Sequence, residues 1–351
     1  MLGGLTAARG EADELVRFRR LLNATILATF ALIVIGGVVR VSDSGLGCGA
    51  AGSGTEGWPL CGGRVLPFLQ QNAVIEFSHR AAATIVVVLI AALALQAFRR
   101  LRDHTWLVRG TVAAAVLVLA QAVLGGLTVE HGLHSAFVAA HLGLAMLLLA
   151  LLIMLHRIAR PSESSPPVDG SRALRATAAV SMVLLFGTIV AGGYVAGTEG
   201  EGTPNQPILG AHLACGEQFP TCLNKFMPFS YGRLVDIQLT HRLFMYLTAI
   251  AVLAMTAVAL RRRTRDPAVG EGFLAFLLAP VLLALQILLG AMNVWFGKHP
   301  VLIVAHLTLA TLLWATVVYA AGSLLAVPAG ARRRVEGAGT TQASDTRAAT
   351  A

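Results

Sequence analysis

Residues 73–95, with the sequence AVIEFSHRAAATIVVVLIAALAL, decide the class of fold because they form an apolar stretch long enough to cross a lipid bilayer. The composition agrees: 56% of the 351 residues are hydrophobic, 13% are charged and the mean hydropathy is +0.72, values that exclude a soluble globular protein. The stretch opens with Glu76, His79 and Arg80, and ionisable side chains at membrane depth usually mark a functional site. We therefore expect an integral membrane protein with a site near the start of this segment.

Seven other apolar runs have a similar length, so the predicted fold is an all-α integral membrane protein with eight transmembrane helices. The first run follows a cluster of arginines, but it is too long for the core of a signal peptide and lacks a small-residue cleavage site, so we expect it to be retained. We expect disorder at residues 1–16 and after about Val327. The eight runs lie at about 21–41, 73–97, 107–129, 134–156, 173–195, 235–260, 271–295 and 300–326.

The formal charge of +9 is explained by the positions of the 27 lysine and arginine residues. Twenty of them lie in the two terminal tails and in the connections after the second, fourth and sixth runs, and these alternate with connections that are poor in basic residues. This bias predicts that both termini lie in the cytoplasm. The charge is then a topology signal, and we predict no nucleic-acid partner. The other seven are Arg64, Lys225, Arg233 and Lys298 in the outer loops and Arg40, Arg80 and Arg242 at helix ends.

Four cysteines lie in the two long outer loops, at about 42–72 and 196–234. Because the outer side is oxidising, a disulfide within each loop is expected, although four cysteines allow three pairings and their spacing excludes none. A zinc site is the alternative, but neither loop has a C-x-x-C motif and only His212 lies close by. The cysteines are Cys48 and Cys61 in the first loop and Cys215 and Cys222 in the second.

The chain contains an internal repeat. Residues 121–150 and 286–315 align with 14 identities in 30 positions, and EFSHR at 76–80 matches QLTHR at 238–242. Each half has an even number of helices, so both halves start on the same side and the repeat is parallel. We therefore predict two pseudo-symmetric parallel four-helix bundles. The predicted division is a cytoplasmic tail (1–20), an N-terminal half (21–156), a cytoplasmic linker (157–172), a C-terminal half (173–326) and a disordered cytoplasmic tail (327–351).

Four of the ten histidines occupy matched positions in the two halves: His79 and His241 in the second helix of each half, and His141 and His306 in the fourth. Each lies about six or seven residues inside its run, which is roughly 10 Å from the outer surface at about 1.5 Å per residue. A single buried histidine usually only joins helices by a hydrogen bond. Matched pairs on facing helices instead suit a haem iron with an imidazole on either side, whereas zinc or copper would need three or four converging ligands.

The joint pattern resembles the haem A synthase family over about residues 20–326. The motifs are E-x-x-H-R on the second helix, H-R on the sixth, single histidines on the fourth and eighth, and paired cysteines in outer loops, where RVSDSGLGC is followed by GWPLC. The segment between Cys48 and Cys61, GAAGSGTEGWPL, is longer than related sequences tend to have. The resemblance implies a bacterial plasma-membrane enzyme that oxidises a methyl group of haem O to a formyl group, through a hydroxymethyl stage, for cytochrome oxidase assembly.

The resemblance also implies a cofactor, a substrate site and partners. Haem b would be the cofactor, with its iron held by His241 and His306 in the C-terminal half. The substrate haem O would bind with its iron between His79 and His141 in the N-terminal half. The implied protein partners are haem O synthase and an unidentified electron acceptor. Both would lie within or at the lipid bilayer.

Glu76 is the implied catalytic residue, and its counterpart in the second half is Gln238, which cannot take up a proton. A carboxylate beside the porphyrin could accept a proton when the methyl group is oxidised. The alternative is that Glu76 only pairs with Arg80, one helical turn away. Arg80 and Arg242 could otherwise contact haem propionates or snorkel. A dihaem membrane cytochrome b that carries electrons would use the same histidines without needing Glu76, and a transporter is a third reading with little support.

Overall fold

The computed structural model describes residues 2–67, 69–160, 172–199, 210–265 and 267–324. Over these ranges the chain forms eight long α-helices, each long and apolar enough to cross a membrane, and the only extended pairing is two isolated bridges. The predicted all-α membrane fold is therefore confirmed. The helices are α1 (Leu2–Val41), α2 (Gln71–Arg100), α3 (Thr105–Glu130), α4 (Ser135–Ile158), α5 (Arg172–Gly197), α6 (Arg233–Arg262), α7 (Pro267–Trp295) and α8 (Pro300–Ser323).

The prediction of disorder at residues 1–16 is wrong for the described part, because α1 already begins at Leu2. Contacts near the predicted start of the apolar run support this extension, since Phe18 and Leu22 are fully buried in a cluster with residues of α2, α3 and α4. Tertiary packing of this kind supplies most of the stability of helices in proteins. The predicted tail after Val327 and most of the linker at 157–172 lie outside the described residues.

The even-numbered helices of each half are separated by the odd-numbered ones. α2 packs against α1 and α3, and α4 packs against the same two helices. In the second half, α6 and α8 both pack against α5 and α7. α2 therefore lies opposite α4, and α6 lies opposite α8, which is the arrangement that lets facing side chains build a site in the core of a four-helix bundle. The twofold symmetry between the halves remains a prediction.

The two halves pack against each other through α1 and α4 of the first half and α5 and α8 of the second. Within this contact, Trp314 on α8 donates a hydrogen bond from Nε1 to the carbonyl of Met146 on α4 at 2.8 Å. The Trp314 ring also packs near Phe186 on α5, with 5.7 Å between ring centroids. Buried residues of both halves belong to one apolar cluster. A shared core therefore supports both candidate sites.

The connections α1–α2, α3–α4, α5–α6 and α7–α8 lie at one end of the bundle, which we call the cysteine end. Both long loops are there, and the cysteines pair within each loop at disulfide-bonding distance. The first loop closes in the same way as the second, although the segment between its cysteines is longer. Because all four cysteines are in these pairs, the geometry does not support the zinc alternative. The pairs are Cys48 with Cys61 and Cys215 with Cys222.

Candidate functional site

The structure brings the four predicted histidines together as two pairs. His79 and His241 lie eight residues after the first residues of α2 and α6, and His141 and His306 lie six residues after the first residues of α4 and α8. Because an α-helix rises by about 1.5 Å per residue, the members of a pair have similar depths from the cysteine end. Within each pair, the imidazoles are close enough to interact electrostatically. Each half therefore contains two neighbouring imidazoles on opposite helices.

Hydrogen bonds define which nitrogen carries the lone pair in the imidazoles of the C-terminal half. Nδ1 of His241 lies 3.0 Å from the carbonyl oxygen of Thr188 on α5 and donates to it, because a carbonyl only accepts. Its Nε2 is then free to bind a metal. Nε2 of His306 lies 3.1 Å from the amide nitrogen of Gln286 on α7 and accepts a hydrogen bond from it, so this Nε2 also carries a lone pair. The Gln286 amide must release that lone pair before His306 can bind a metal. An Nδ1–H bond to a carbonyl is a common support of metal-binding histidines.

These residues fit a haem iron with two imidazole ligands. Nδ1 of His79, His141 and His306 is buried without a hydrogen-bond partner among the described residues, whereas Nε2 of His306 accepts from Gln286, a contact that iron would displace. Within the same ranges, no group of three or more His, Cys, Asp or Glu side chains converges as a tetrahedral zinc site requires. Two imidazoles on opposite helices of one bundle are instead a ligand set typical of haem iron.

Glu76 is buried near the start of α2, with 3% of its surface exposed, and both carboxylate oxygens are engaged. Oε2 accepts a hydrogen bond from the backbone N–H of Cys48 at 2.7 Å, and Oε1 forms an ion pair with Arg80. The pairing considered as the alternative to catalysis is therefore present, and the contact with Cys48 was not predicted. Glu76 also lies three residues before His79, which places both on one face of α2. The carboxylate thus connects the first cysteine loop to the histidine helix.

Arg80 and Arg242 hold the two cysteine loops by matched hydrogen bonds. In each loop, the guanidinium group donates to the carbonyls of the residues one and four positions before the second cysteine. These contacts explain why an arginine follows the histidine in both halves, and they show that the two side chains do not simply snorkel. The acceptors are Leu60 at 2.8 Å and Gly57 at 2.7 Å for Arg80, and Thr221 and Gln218, both at 2.8 Å, for Arg242.

The two halves differ at the position of Glu76. Its counterpart Gln238 is also buried, with 4% of its surface exposed, but its Oε1 has no hydrogen-bond partner among the described residues. Each half therefore keeps the arginine contact to its cysteine loop, while only the N-terminal half has a carboxylate next to that arginine.

A charged cluster around Glu199, which was not predicted from the sequence, joins the two halves at the cysteine end. Glu199, just after α5, accepts from Nδ1 of His212 at 2.8 Å and lies 3.3 Å from Nζ of Lys298 and 3.9 Å from the guanidinium of Arg40 on α1. Burial opposes the negative charge, but the hydrogen bond from His212 and the nearby positive charges of Lys298 and Arg40 outweigh it and lower the pKa of Glu199 to about 2. Its partners are distant in sequence, so no local motif indicates this cluster.

Replacing Glu199 by glutamine is expected to lower the free energy of unfolding by about 1–2 kcal/mol at neutral pH, because charge-assisted hydrogen bonds are lost at a partly exposed position. The folded-state pKa of about 2 lies below the ordinary value of 4.5, so this stabilisation is present above pH 4.5 and disappears as the pH falls toward 2. Thermal unfolding in detergent at several pH values measures it. Glu217→Gln, the same charge change at an exposed position in the same loop, is the control. Equal destabilisation by both substitutions would contradict the assignment.

Comparison with known proteins gives one consistent result. Residues 19–318 match the family model COX15-CtaA, described as cytochrome oxidase assembly protein. The chain is 29% identical over 242 residues to a Heme A synthase of Shouchella clausii, an alignment that covers 68% of this chain and 74% of that protein. It is 30% identical over 258 residues to a Heme A synthase of Symbiobacterium thermophilum, with 70% and 78% covered. A Heme A synthase of Halalkalibacterium halodurans is 25% identical over 298 residues, with 84% and 93% covered.

Proposed function

Because the chain belongs to the COX15-CtaA family of cytochrome oxidase assembly proteins, we propose that it is a haem A synthase, an oxidoreductase that converts a methyl group of haem O to the formyl group of haem A. The observation that carries this proposal is the pair of imidazoles in each half, at equal positions along equivalent helices. One pair suffices to hold a resident haem, and the second provides a place for a haem that is the substrate.

His241 and His306 are the residues that hold haem b in the C-terminal half. The hydrogen bond from His241 to the Thr188 carbonyl directs Nε2 away from α5, so the ring is oriented before the cofactor binds. Haem iron, when bound, supplies the one-electron redox chemistry by which electrons leave the substrate. In the N-terminal half, His79 and His141 bind the iron of haem O and thereby fix the position of the porphyrin.

Glu76 is the proposed proton acceptor. Oxidation of a methyl group removes protons together with electrons, and a positioned carboxylate can take up such a proton. Its place on the same face of α2 as His79 brings it to the N-terminal pair, and its bonds to Cys48 and Arg80 restrict its motion. Gln238, at the same position in the other half, cannot perform this step because an amide does not accept a proton at ordinary pH.

The charge pattern supports a multi-pass protein of the bacterial plasma membrane with the cysteine end outside and both termini in the cytoplasm. On the outside the paired cysteines form disulfides, which is the state expected in an oxidising compartment. The proposed partners are haem O synthase, which would deliver the substrate, and an electron acceptor. The surrounding bilayer offers a hydrophobic route between two membrane enzymes.

The pigment content separates this function from the alternatives. Purified protein is extracted with acidified acetone, and its haems are identified by chromatography and mass spectrometry. A haem A synthase contains haem b together with some haem O or haem A. Haem b in both halves, with no haem O or haem A, would instead indicate a dihaem electron carrier, and a protein without haem would leave the transporter reading.

Changing Cys48 and Cys61 to serine is expected to lower turnover more than haem b content. The disulfide holds the loop whose backbone binds Glu76 and Arg80, so its loss loosens the cover of the N-terminal site and leaves the C-terminal site intact. The matched control changes Cys215 and Cys222 to serine. In this variant, the loss of haem b should come before any loss of turnover per bound haem. If mass spectrometry of unreduced peptides shows four free thiols, the disulfides do not form and this prediction has no basis.

A further inference from the structure

Each odd-numbered helix has a glycine at the same distance from its end. The glycine lies five residues before the last residue of the helix at the cysteine end in all four cases. Glycine inside a helix is unfavourable by roughly 1 kcal/mol relative to alanine, so four equivalent occurrences need a reason. The residues are Gly36 on α1, Gly125 on α3, Gly192 on α5 and Gly290 on α7.

Each of these glycines faces one of the four candidate ligand histidines on the next helix. A Cβ atom at the glycine would lie 3.0–3.2 Å from Cε1 of the imidazole, 3.4–3.8 Å from Nδ1 and 3.7–3.9 Å from Nε2. The order of the three distances is the same in every case, so all four rings present the same edge to the glycine. The pairs are Gly36 with His79, Gly125 with His141, Gly192 with His241 and Gly290 with His306.

The odd-numbered helix also contacts the histidine one turn before the glycine. Thr188, four residues before Gly192, accepts from Nδ1 of His241, and Gln286, four residues before Gly290, bonds to Nε2 of His306. In these two cases one helix therefore contacts the ring at a nitrogen and at the Cε1 edge. For His241 the two contacts fix the rotation of the imidazole about its bond to Cβ and leave Nε2 free, whereas Nε2 of His306 must exchange the Gln286 amide for iron and only the glycine contact remains.

The residue after the glycine is also a closely packed glycine on α1, α3 and α5, but a Cβ atom there would meet side chains other than a histidine. Gly193 follows Gly192, but a Cβ there would meet Leu142 and Ala139 on α4 and not a histidine. On α7 the corresponding residue is already an alanine, Ala291, which is buried. A methyl group is therefore tolerated at the neighbouring position of at least one helix, whereas all four positions that face a histidine are glycine.

We propose that Gly36, Gly125, Gly192 and Gly290 are positioning residues that set the ring orientation of the four iron-ligating histidines. A methyl group at about 3 Å from Cε1 is closer than carbon atoms approach without strain, so the ring must turn or move away. A turned ring directs Nε2 away from the iron position and weakens the bond. The inference rests on the proposed function, because it assumes that these histidines bind haem iron.

Gly192→Ala and Gly290→Ala test the proposal in the C-terminal half, with Gly193→Ala as the matched control. The control adds the same methyl group on the same helix, at a similarly close contact with α4. The two test variants are expected to bind haem b about tenfold more weakly or worse, the order of effect that overpacking by one methyl group produces. Haem that remains should show changed electron paramagnetic resonance g-values and a changed midpoint potential, since both depend on the planes of the axial imidazoles.

The outcomes separate the two proposals. Haem b with unchanged affinity, g-values and potential in Gly192→Ala and Gly290→Ala overturns the positioning role and leaves the proposed function intact. Equal changes in Gly193→Ala also overturn it, because crowding of α5 alone then explains the effect. A wild-type protein that contains no haem contradicts the proposed function and this inference together. Helix content by circular dichroism and elution in detergent establish that each variant is folded.

Discussion

Glu76→Gln is expected to lower haem A formation by about 10²- to 10⁴-fold, the usual contribution of a positioned proton-transfer group, while haem b content stays at the wild-type level. Glutamine has almost the same volume, and its Oε1 still accepts the hydrogen bond from the Cys48 backbone, so the first cysteine loop keeps its contact with α2. Only the charge and the capacity to take up a proton are lost. The measurement is the haem A to haem O ratio in membranes matched for haem b.

Arg80→Gln is the control that separates chemistry from loop attachment. It removes the ion pair with Glu76 and the hydrogen bonds to the Leu60 and Gly57 carbonyls, but it leaves the carboxylate in place. If Glu76 takes up a proton, Arg80→Gln harms haem A formation less than Glu76→Gln does. If Glu76 only anchors the loop, Arg80→Gln does equal or greater harm. Haem A formation within about threefold of wild type in Glu76→Gln would also rule out the catalytic role.

His241→Ala and His306→Ala are each expected to abolish low-spin haem b. Removal of one imidazole opens an axial position of the iron, and the remaining histidine alone holds the cofactor weakly. Absorption spectra of the purified variants report both the amount and the spin state of the haem. His299→Ala is a suitable control, because His299 is the residue just before the first residue of α8 and lies outside the helical part that carries His306. Complete low-spin haem b spectra in both test variants would show that the ligand assignment is wrong.

The helices could be predicted from the sequence because the requirement for about 20 apolar residues leaves few alternatives. All eight predicted runs correspond to helices of the structure. The start of α1 could not be predicted, since Leu2 to about residue 20 is polar and becomes helical where Phe18 packs into a core built by other helices. Hydropathy identifies the segments that cross the bilayer, but it does not predict a helix that is stabilised by packing outside the bilayer.

The histidine pairs could be predicted because histidines occur at equivalent positions in both halves of the internal repeat. The loop contacts of Arg80 and Arg242, and the cluster around Glu199, could not, because their partners are brought together only by the path of the long loops. The glycines opposite the histidines are an intermediate case. Their repetition is visible in the sequence, but glycine is frequent in membrane helices, and only the structure shows which face each one presents.

The proposed activity is tested most directly by measuring the conversion of haem O to haem A. The gene is expressed in a bacterial host that makes haem O but no haem A, and the membrane haems are extracted and identified by mass spectrometry. Wild-type protein is expected to produce haem A, with its formyl group, and Glu76→Gln membranes with the same haem b content are expected to retain haem O. Membranes that contain wild-type protein with full haem b and haem O, but neither haem A nor the hydroxymethyl intermediate, would contradict the proposed activity.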